Sequence, residues 1–312
     1  MTTNDVHCHF FSPGFFKALA TQKGLASADS VGQVTGLLGW EDPESNLNLA
    51  DRWVAELDRH RVGRAALIAS LPGDQDSVAE AVTRHPQRFV GFFMLDPTRE
   101  GAADLARRSL AEKRLRTVCL FPAMHHYHVY EERVIAVFEA AAGEGAAVFV
   151  HCGVLSVGVR KKLGLPSRFD MRFGNPLDLH SVALRFPQLP ILIPHFGAGL
   201  FREALMLADL CPNVYLDTSS SNGWVRYHPG LTLAQVFSQA LTVVGPERLL
   251  FGTDSSFFPR GWQAPVWQAQ VSALEALGVG SADQKKIFEE NFDRLFPVDS
   301  QDSSRPARSQ KV

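Results

Sequence analysis

Two histidines near the start of the chain, His7 and His9, are the residues best suited to chemistry. Alternate side chains of an extended strand point to the same face, so the two imidazoles would lie side by side while Cys8 faces away. Imidazole nitrogens are common ligands of Zn²⁺ and related divalent ions, although two histidines in a strand also occur as a surface pair. The spacing therefore indicates half of a metal site that needs further ligands.

Three further polar residues, His151, His195 and Asp254, each end a short apolar, β-rich stretch. In a parallel α/β barrel the functional side chains project from the C-terminal ends of the strands, where the loops gather. With the strand of His7 and His9, four strand ends thus carry a His or an Asp. One shared site explains this placement better than four separate core residues do, so the sequence predicts a single metal centre.

Apolar segments suited to buried parallel strands alternate with helical patterns along the chain. The strands are expected near residues 4–9, 65–70, 89–95, 117–121, 146–151, 190–195, 213–217 and 248–254. The helices are expected near residues 49–60, 75–85, 101–112, 131–143, 175–186, 199–210, 231–243 and 264–277. Eight such units predict an α/β fold of the (β/α)8 TIM barrel type.

Two insertions interrupt the alternation, one after strand 1 and one after strand 5. The first, residues 10–48, contains several glycines and Pro43, and we expect it to be largely irregular. The second runs from His151 to about Gly174, and both should cover the active site because both leave C-terminal strand ends. We expect one barrel domain over residues 1–297 and a disordered, polar tail over residues 298–312.

The composition fits a soluble enzyme with a small-molecule substrate. The 312 residues are 46% hydrophobic, enough to bury the core of a barrel of about 250 residues with insertions. The net charge of −2 and the lack of a basic stripe argue against a nucleic-acid partner. No long apolar run and no leader pattern is present, so we expect no membrane association and a cytoplasmic location. A homodimer is compatible with the sequence.

Six segments carry a family resemblance that extends to about Phe296. They are Asp5 to His9 and residues 57–63, 85–91, 194–199, 247–254 and 291–296. These segments resemble the amidohydrolase superfamily, in particular the branch that includes aminocarboxymuconate-semialdehyde decarboxylase and the resorcylate decarboxylases. The resemblance implies a metal-dependent enzyme but not its reaction, because the branch carries out both hydrolysis and decarboxylation.

The resemblance also implies a role for each strand-end residue. His7, His9, His151 and Asp254 would hold one divalent metal ion, with a position left open for water or substrate. His195 would be catalytic without being a ligand, through a hydrogen bond to the activated water or to charge developing on the substrate. Asp254 would also transfer protons. Zn²⁺ is the expected ion, with Mn²⁺ and Fe²⁺ as alternatives, because availability decides among them.

Strand 4 predicts a single ion. Two-metal members of the superfamily place a lysine or glutamate at the end of this strand, and residues 117–121 contain neither. Cys119 could bridge a second ion, but a lone cysteine in an apolar strand is typical of core packing.

Five loop residues are candidate substrate contacts: His125, His126, Arg160, Trp224 and Arg260. The two histidines belong to a cluster with His128 that either contacts the substrate or forms a solvated loop. The arginines could bind a carboxylate, although surface cations often only solvate a loop. The tryptophan would suit a flat substrate, or equally a loop that packs on itself.

The sequence therefore predicts a metal-dependent hydrolase that uses metal-activated water on a small, carboxylate-bearing substrate. The alternative is a non-oxidative decarboxylase of an aromatic or unsaturated carboxylic acid. The insertion of residues 10–48 contains no arginine to bind such a carboxylate, which favours hydrolysis. A third hypothesis, a barrel that binds ligands without catalysis, is disfavoured by the intact set of five polar residues.

Overall fold

Eight parallel strands form the centre of the fold. The computed structural model describes residues 2–25, 28–113, 115–219 and 221–298. The strands are β1 (Thr3–Phe10), β2 (Val62–Ala69), β3 (Phe89–Leu95), β4 (Thr117–Leu120), β5 (Ala147–Val150), β6 (Ile191–Ile193), β7 (Val214–Asp217) and β8 (Leu249–Leu250). Each strand pairs with the next one along the chain. The predicted tail lies, except for Val298, outside the described residues.

Backbone hydrogen bonds between β1 and the segment after β8 close this sheet. The N–H of Val6 donates to the carbonyl of Phe251 at 2.9 Å, and the N–H of Asp254 donates to the carbonyl of His7 at 2.9 Å. The N–H of His9 donates to the carbonyl of Ser255 at 2.7 Å. The predicted (β/α)8 TIM barrel is therefore confirmed.

Helices connect the strands and surround the barrel. They are α1 (Pro13–Lys23), α2 (Ser30–Leu38), α3 (Asn46–Arg59), α4 (Gln75–Arg84), α5 (Ala102–Glu112), α6 (Pro122–His125), α7 (Glu132–Gly143), α8 (Gly158–Lys162), α9 (His180–Arg185), α10 (Phe201–Leu210), α11 (Ser221–Trp224), α12 (Leu233–Val244), α13 (Ala264–Ala276), α14 (Ser281–Lys285) and α15 (Asn291–Leu295). Each predicted helical segment overlaps one of these helices. None of the helices in the described ranges is long and apolar enough to cross a bilayer.

The strands separate two apolar layers, as expected from the alternation of side chains in a barrel. The inner layer contains Val6, Phe92, Phe149 and Leu250, all fully buried. The outer layer fills the space between the strands and the surrounding helices. This inner layer packs inside the barrel, beneath the C-terminal strand ends that carry the candidate site.

A bulge in β1 sets the direction of the first histidine. Asp5 pairs with Ala65 of β2, but Cys8 pairs with Leu67, so three steps along β1 match two steps along β2. An extra residue of this kind redirects the side chains that follow it. Val6 packs inside the barrel, yet the next residue, His7, also faces inward and lines the cavity at the strand ends.

The prediction that residues 10–48 are largely irregular is wrong, because this insertion contains α1 and α2. Ser12 caps α1 by accepting a hydrogen bond from the N–H of Phe15 at 3.0 Å, and Pro13 suits the first helical turn. Gly24 and Gly39 adopt φ values of 77° and 66° as helix-ending residues, so these glycines mark helix ends rather than loops.

The two helices of the insertion form a cap with a small apolar cluster of its own. We call these residues the cap cluster: Phe15, Phe16, Leu19, Ala20, Val34, Leu38, Val159 and Leu163. The last two belong to the insertion after β5. The two predicted insertions therefore pack against each other over the C-terminal ends of the strands.

Phe237 on α12 offers a test of the outer layer. Its ring is fully buried and lies perpendicular to the ring of Phe196, with centroids 5.5 Å apart. We expect Phe237→Ala to lower the free energy of unfolding by about 3–5 kcal/mol, because it leaves a cavity that the barrel cannot fill. Leu210→Ala, at a side chain that is 63% exposed, should change it by less than about 0.5 kcal/mol. Urea unfolding measures both, and equal effects would contradict this packing.

Candidate active site

Three potential metal ligands meet at the C-terminal end of the barrel. Nε2 of His7 lies 3.3 Å from Nε2 of His9. Oδ1 of Asp254 lies 3.1 Å from Nε2 of His9 and 3.7 Å from Nε2 of His7. Within the described ranges, this is the group of His, Cys, Asp and Glu side chains whose donor atoms are close enough to share an ion.

The closure of the barrel brings these three side chains together. His7 and Asp254 are neighbours across the β1–β8 hydrogen bonds, since the N–H of Asp254 donates to the carbonyl of His7. Asp254 adopts a φ of 60°, an uncommon value for a residue with a side chain, which indicates local strain at a functional position.

Buried Asp5 fastens the same junction. Its carboxylate accepts hydrogen bonds from the N–H of His7 at 2.9 Å, the hydroxyl of Thr253 at 2.6 Å and the indole of Trp262 at 2.7 Å. Burial outweighs these hydrogen bonds and raises the pKa of Asp5 to about 6. The residue links the backbone of both ligand-bearing segments.

Each of the paired histidines is held through its other ring nitrogen. Nδ1 of His7 lies 2.6 Å from a carboxylate oxygen of Asp217, and Nδ1 of His9 lies 2.7 Å from the hydroxyl oxygen of Ser70. Such partners fix the ring orientation of a ligand histidine. They direct both Nε2 atoms toward Asp254.

His151 and His195 lie beside the three-residue group. Their ring centroids are 5.3 Å apart, and that of His195 is 5.0 Å from that of His7. Nδ1 of His151 is buried without a hydrogen-bond partner among the described residues, as expected for a nitrogen that awaits a ligand. His151 is not within the closest group of donors, so its role as the fourth ligand stays a prediction.

Burial favours the neutral form of three histidines, whereas the neighbouring histidines favour the ionised form of Asp254. Burial lowers the pKa of His151 well below its usual value, with a further contribution from His195, and burial also lowers the pKa of His9 and His195. Burial would raise the pKa of Asp254, but the hydrogen bond with His9 and nearby histidines hold this pKa far below its ordinary value. Neutral imidazoles around an ionised carboxylate are what a divalent cation requires.

Burial also opposes protonation of His7, but the carboxylate of Asp217 outweighs it and the pKa of His7 is raised. A bound cation would compete with that proton for Nε2. The donor set of imidazole nitrogens and one carboxylate oxygen, together with the unpartnered Nδ1 of His151, fits a single divalent ion.

Above this group lies a cavity of about 800 Å³. Aromatic side chains form much of its wall: Phe11, Phe15, Trp40, Phe121, Phe169 and Phe257. The cationic residues that line it are Arg99, Arg160, Lys162, Arg168 and Arg260. Its carboxylates are Asp96 and Asp254. Within the described ranges, only Arg99 of these cations forms an ion pair, with Asp96 at 3.3 Å.

Four of the five predicted substrate contacts, all except Trp224, line this cavity. Arg260 donates to the hydroxyl of Ser256 at 2.6 Å, and Arg160 donates to Gln22 at 2.6 Å. His126 donates to the carbonyl of Arg168 at 2.6 Å. Nδ1 of His125, like that of His151, is buried without a hydrogen-bond partner among the described residues.

Among the described residues, Trp224 is not one of those that line the cavity. Its side chain is 5% exposed and packs against Phe201, with ring centroids 5.5 Å apart. This packing matches the alternative in which the loop of Trp224 packs on the protein itself. The function proposed below therefore does not use Trp224 as a substrate contact.

The sequence analysis missed four polar residues that support the site: Asp5, Ser70, Asp217 and Ser219. A signal was present for two of them, because Asp217 is the last residue of β7 and Ser70 directly follows β2. His151 was identified because it ends a predicted strand, and the same criterion identifies Asp217 and Ser70. Asp5 and Ser219 had no comparable signal, since their contacts come from distant parts of the chain.

Loss of metal in a double variant tests the three-residue group. His7→Ala combined with His9→Ala removes two of its donors, and we expect the purified protein to lose nearly all bound divalent metal while remaining folded. His180→Ala, outside the cavity, should retain metal as the parent does. Plasma emission spectroscopy measures metal per chain and circular dichroism checks the fold. Stoichiometric metal in the double variant would refute this location.

One curated protein is similar to this chain over part of the sequence, and several solved structures have a similar fold. Over 103 residues, 33% of this chain, the sequence is 33% identical to the protein fluG of Emericella nidulans, and the match covers 11% of that protein. The fold resembles dihydroxybenzoic acid decarboxylase from Polaromonas sp. JS666, with bound manganese and an inhibitor, at a TM-score of 0.64 and 20% identity. That comparison covers 96% of this chain and 98% of the other.

A second structural neighbour carries the name of a hydrolase. It is a probable 2-pyrone-4,6-dicarboxylic acid hydrolase from Acinetobacter baumannii, with citric acid bound, at a TM-score of 0.61 and 15% identity over 95% of this chain and 99% of the other. The sequence model of the amidohydrolase family Amidohydro_2 matches residues 5–298. Because that match spans nearly the whole chain, the protein belongs to the Amidohydro_2 family of amidohydrolases.

Proposed function

We propose that the protein is a metal-dependent hydrolase that cleaves an amide or lactone bond in a small, carboxylate-bearing compound. The observation that carries this proposal is the position of Asp254. Its ionised carboxylate touches both paired imidazoles and lines the cavity, so it adjoins both the metal site and the space for substrate. A carboxylate in that position can act as a general base.

A divalent ion held by His7, His9 and Asp254 would polarise a substrate oxygen and lower the pKa of water, which supplies a nucleophile at neutral pH. Asp254 accepts the proton that water loses as its oxygen attacks the carbonyl carbon. The same carboxyl group then returns the proton to the leaving nitrogen or oxygen as the bond to carbon breaks. Asp254 therefore ends the cycle ionised, as it began.

His195, beside the three-residue group, supports the reaction. Nδ1 of His195 donates to the carbonyl of Ser219 at 2.9 Å, which leaves its Nε2 for the cavity that it lines. A neutral imidazole there can accept a hydrogen bond from water and hold its oxygen for attack.

The cavity wall supports an anionic and partly flat substrate. Arg160, Lys162, Arg168 and Arg260 line it with no carboxylate within ion-pair distance in the described part of the chain. Arg260 lies nearest the metal group, since it also donates to the carbonyl of Asp254 at 3.3 Å. A guanidinium there can bind a substrate carboxylate in two-point geometry.

The ion proposed is Zn²⁺, from the three imidazoles of the predicted ligand set. Mn²⁺ is the alternative, supported by the manganese bound in the Polaromonas enzyme. We further propose a cytoplasmic location, as expected from the sequence, with which a homodimer is compatible.

Decarboxylation is the second candidate, and the likeness to dihydroxybenzoic acid decarboxylase favours it. In that reaction the carbon–carbon bond to the carboxylate breaks, its electron pair stays on the substrate carbon, and carbon dioxide leaves. A proton taken up from water by His195 or Asp254 is then delivered to that carbon. The cationic, aromatic cavity suits this substrate class as well.

A product assay distinguishes the two reactions. Protein reconstituted with Zn²⁺ or Mn²⁺ is incubated with aromatic carboxylates, amides and lactones, while acid release and carbon dioxide release are recorded in parallel. We expect acid release from an amide or lactone that carries a carboxylate, with no carbon dioxide. Carbon dioxide formed without hydrolysis would reject the hydrolase and support the decarboxylase, and the His7→Ala, His9→Ala double variant is the inactive control.

Substitution of His195 separates catalysis from metal binding. We expect His195→Asn to keep its bound metal while turnover falls by about 10²–10⁴-fold, because a proton-transfer and charge-stabilising group is lost. Metal content and initial rates are measured on the same preparation. A variant that is both metal-free and inactive would show that His195 is a ligand instead.

A further inference from the structure

Ser219 lies between the two imidazoles that the site uses in different ways. Its Oγ is 2.9 Å from Nδ1 of His7, 2.9 Å from Nδ1 of His195 and 2.9 Å from Oδ2 of Asp217. The serine and the aspartate are both fully buried. One hydroxyl thus contacts a metal-ligand candidate, the proposed catalytic histidine and a carboxylate.

Donor and acceptor chemistry determines where the hydrogen atoms of this array lie. A backbone carbonyl and an ionised carboxylate can only accept hydrogen bonds. Nδ1 of His195 faces the carbonyl of Ser219 at 2.9 Å, and Nδ1 of His7 faces Oδ2 of Asp217 at 2.6 Å. Both Nδ1 atoms must therefore carry hydrogen. The hydroxyl then donates to Asp217, and its two lone pairs face the two N–H groups, which uses all of its hydrogen-bonding capacity.

We propose that Ser219 and Asp217 are positioning residues that fix His7 and His195 together in the Nδ1–H tautomer. In this tautomer Nε2 of each neutral ring carries a lone pair. His7 directs that lone pair toward His9 and Asp254, whereas His195 directs it toward the cavity. The use of His195 in catalysis rests on the proposed function, but the tautomers of the two rings do not.

The backbone of Gly252 packs closely against this array. A Cβ on Gly252 would lie 2.7 Å from Oδ1 of Asp217, 2.9 Å from Cβ of His7 and 3.0 Å from Cβ of Ser219. The first two distances are too short for a Cβ atom and the third is unusually tight, so the glycine backbone packs directly against the three residues. The N–H of Ser219 also donates to Oδ1 of Asp217 at 2.6 Å, which holds the carboxylate from its second oxygen.

Nuclear magnetic resonance of the parent protein tests the tautomers without any substitution in the array. Metal-free protein with ¹⁵N-labelled histidine is studied at mildly alkaline pH, and two-bond nitrogen–proton correlations identify which ring nitrogen carries hydrogen. His7→Gln and His195→Gln variants assign the signals. We expect Nδ1–H for both rings. A ring with hydrogen on Nε2 and none on Nδ1 at either residue would overturn the proposal, whatever reaction the enzyme catalyses.

Variants then test the consequence for the site. Ser219→Ala should lower kcat by about 10–100-fold with KM and metal content near the parent values, and Asp217→Asn should weaken metal binding by about 10–100-fold, as is usual for partners of ligand histidines. Competition with a chromogenic chelator measures the metal affinity.

Thr218→Val is the matched control, because the buried hydroxyl of Thr218 donates to Gln270 at 2.7 Å and contacts neither histidine. It should leave kcat and metal affinity unchanged. Thermal unfolding checks each variant, and Ser219→Cys replaces Ser219→Ala if the latter does not fold. A Ser219 variant that folds and matches Thr218→Val in kcat and in the histidine spectrum would overturn the proposal.

Discussion

The hydrogen bond from the N–H of Asp254 to the carbonyl of His7 joins the end of the barrel to its beginning. It lies between two further bonds of the same junction, so the contacts that close the sheet also determine the separation of the ligand atoms. A backbone spacing of this kind cannot change without opening the barrel. The candidate metal centre therefore has the rigidity of the sheet, although its residues lie nearly 250 positions apart in the sequence.

Charge placement around this junction follows from burial. The same lack of water that keeps His9, His151 and His195 neutral raises the pKa of Asp5. The charge of Asp254 limits the effect of burial on the three histidines, and hydrogen bonds limit it on Asp5. The charged form of Asp254 is strongly favoured, because imidazoles surround it. The centre is thus prepared for a cation before any ligand arrives, in the manner of electrostatic preorganisation.

The sequence was sufficient to predict the barrel and the residues at its strand ends. Runs such as residues 146–150 have the length and apolar character of buried parallel strands, and a histidine at the end of such a run has a defined place in this fold. The helices of the cap were not predicted, because Gly24 and Gly39 are equally typical of loops and of helix ends. Their conformation is decided by the packing of Phe15 and Phe16 against the loop after β5, which is a contact between distant segments.

The cap cluster is separate from the two apolar layers of the barrel. Substitutions in separate, non-contacting clusters generally have additive effects on stability. Residues of α1, α2 and α8 can therefore vary without altering the spacing of His7, His9 and Asp254, while they reshape the aromatic and cationic wall above it. In evolutionary terms, this architecture lets the range of accepted compounds diverge while the chemistry beneath the cap is inherited unchanged.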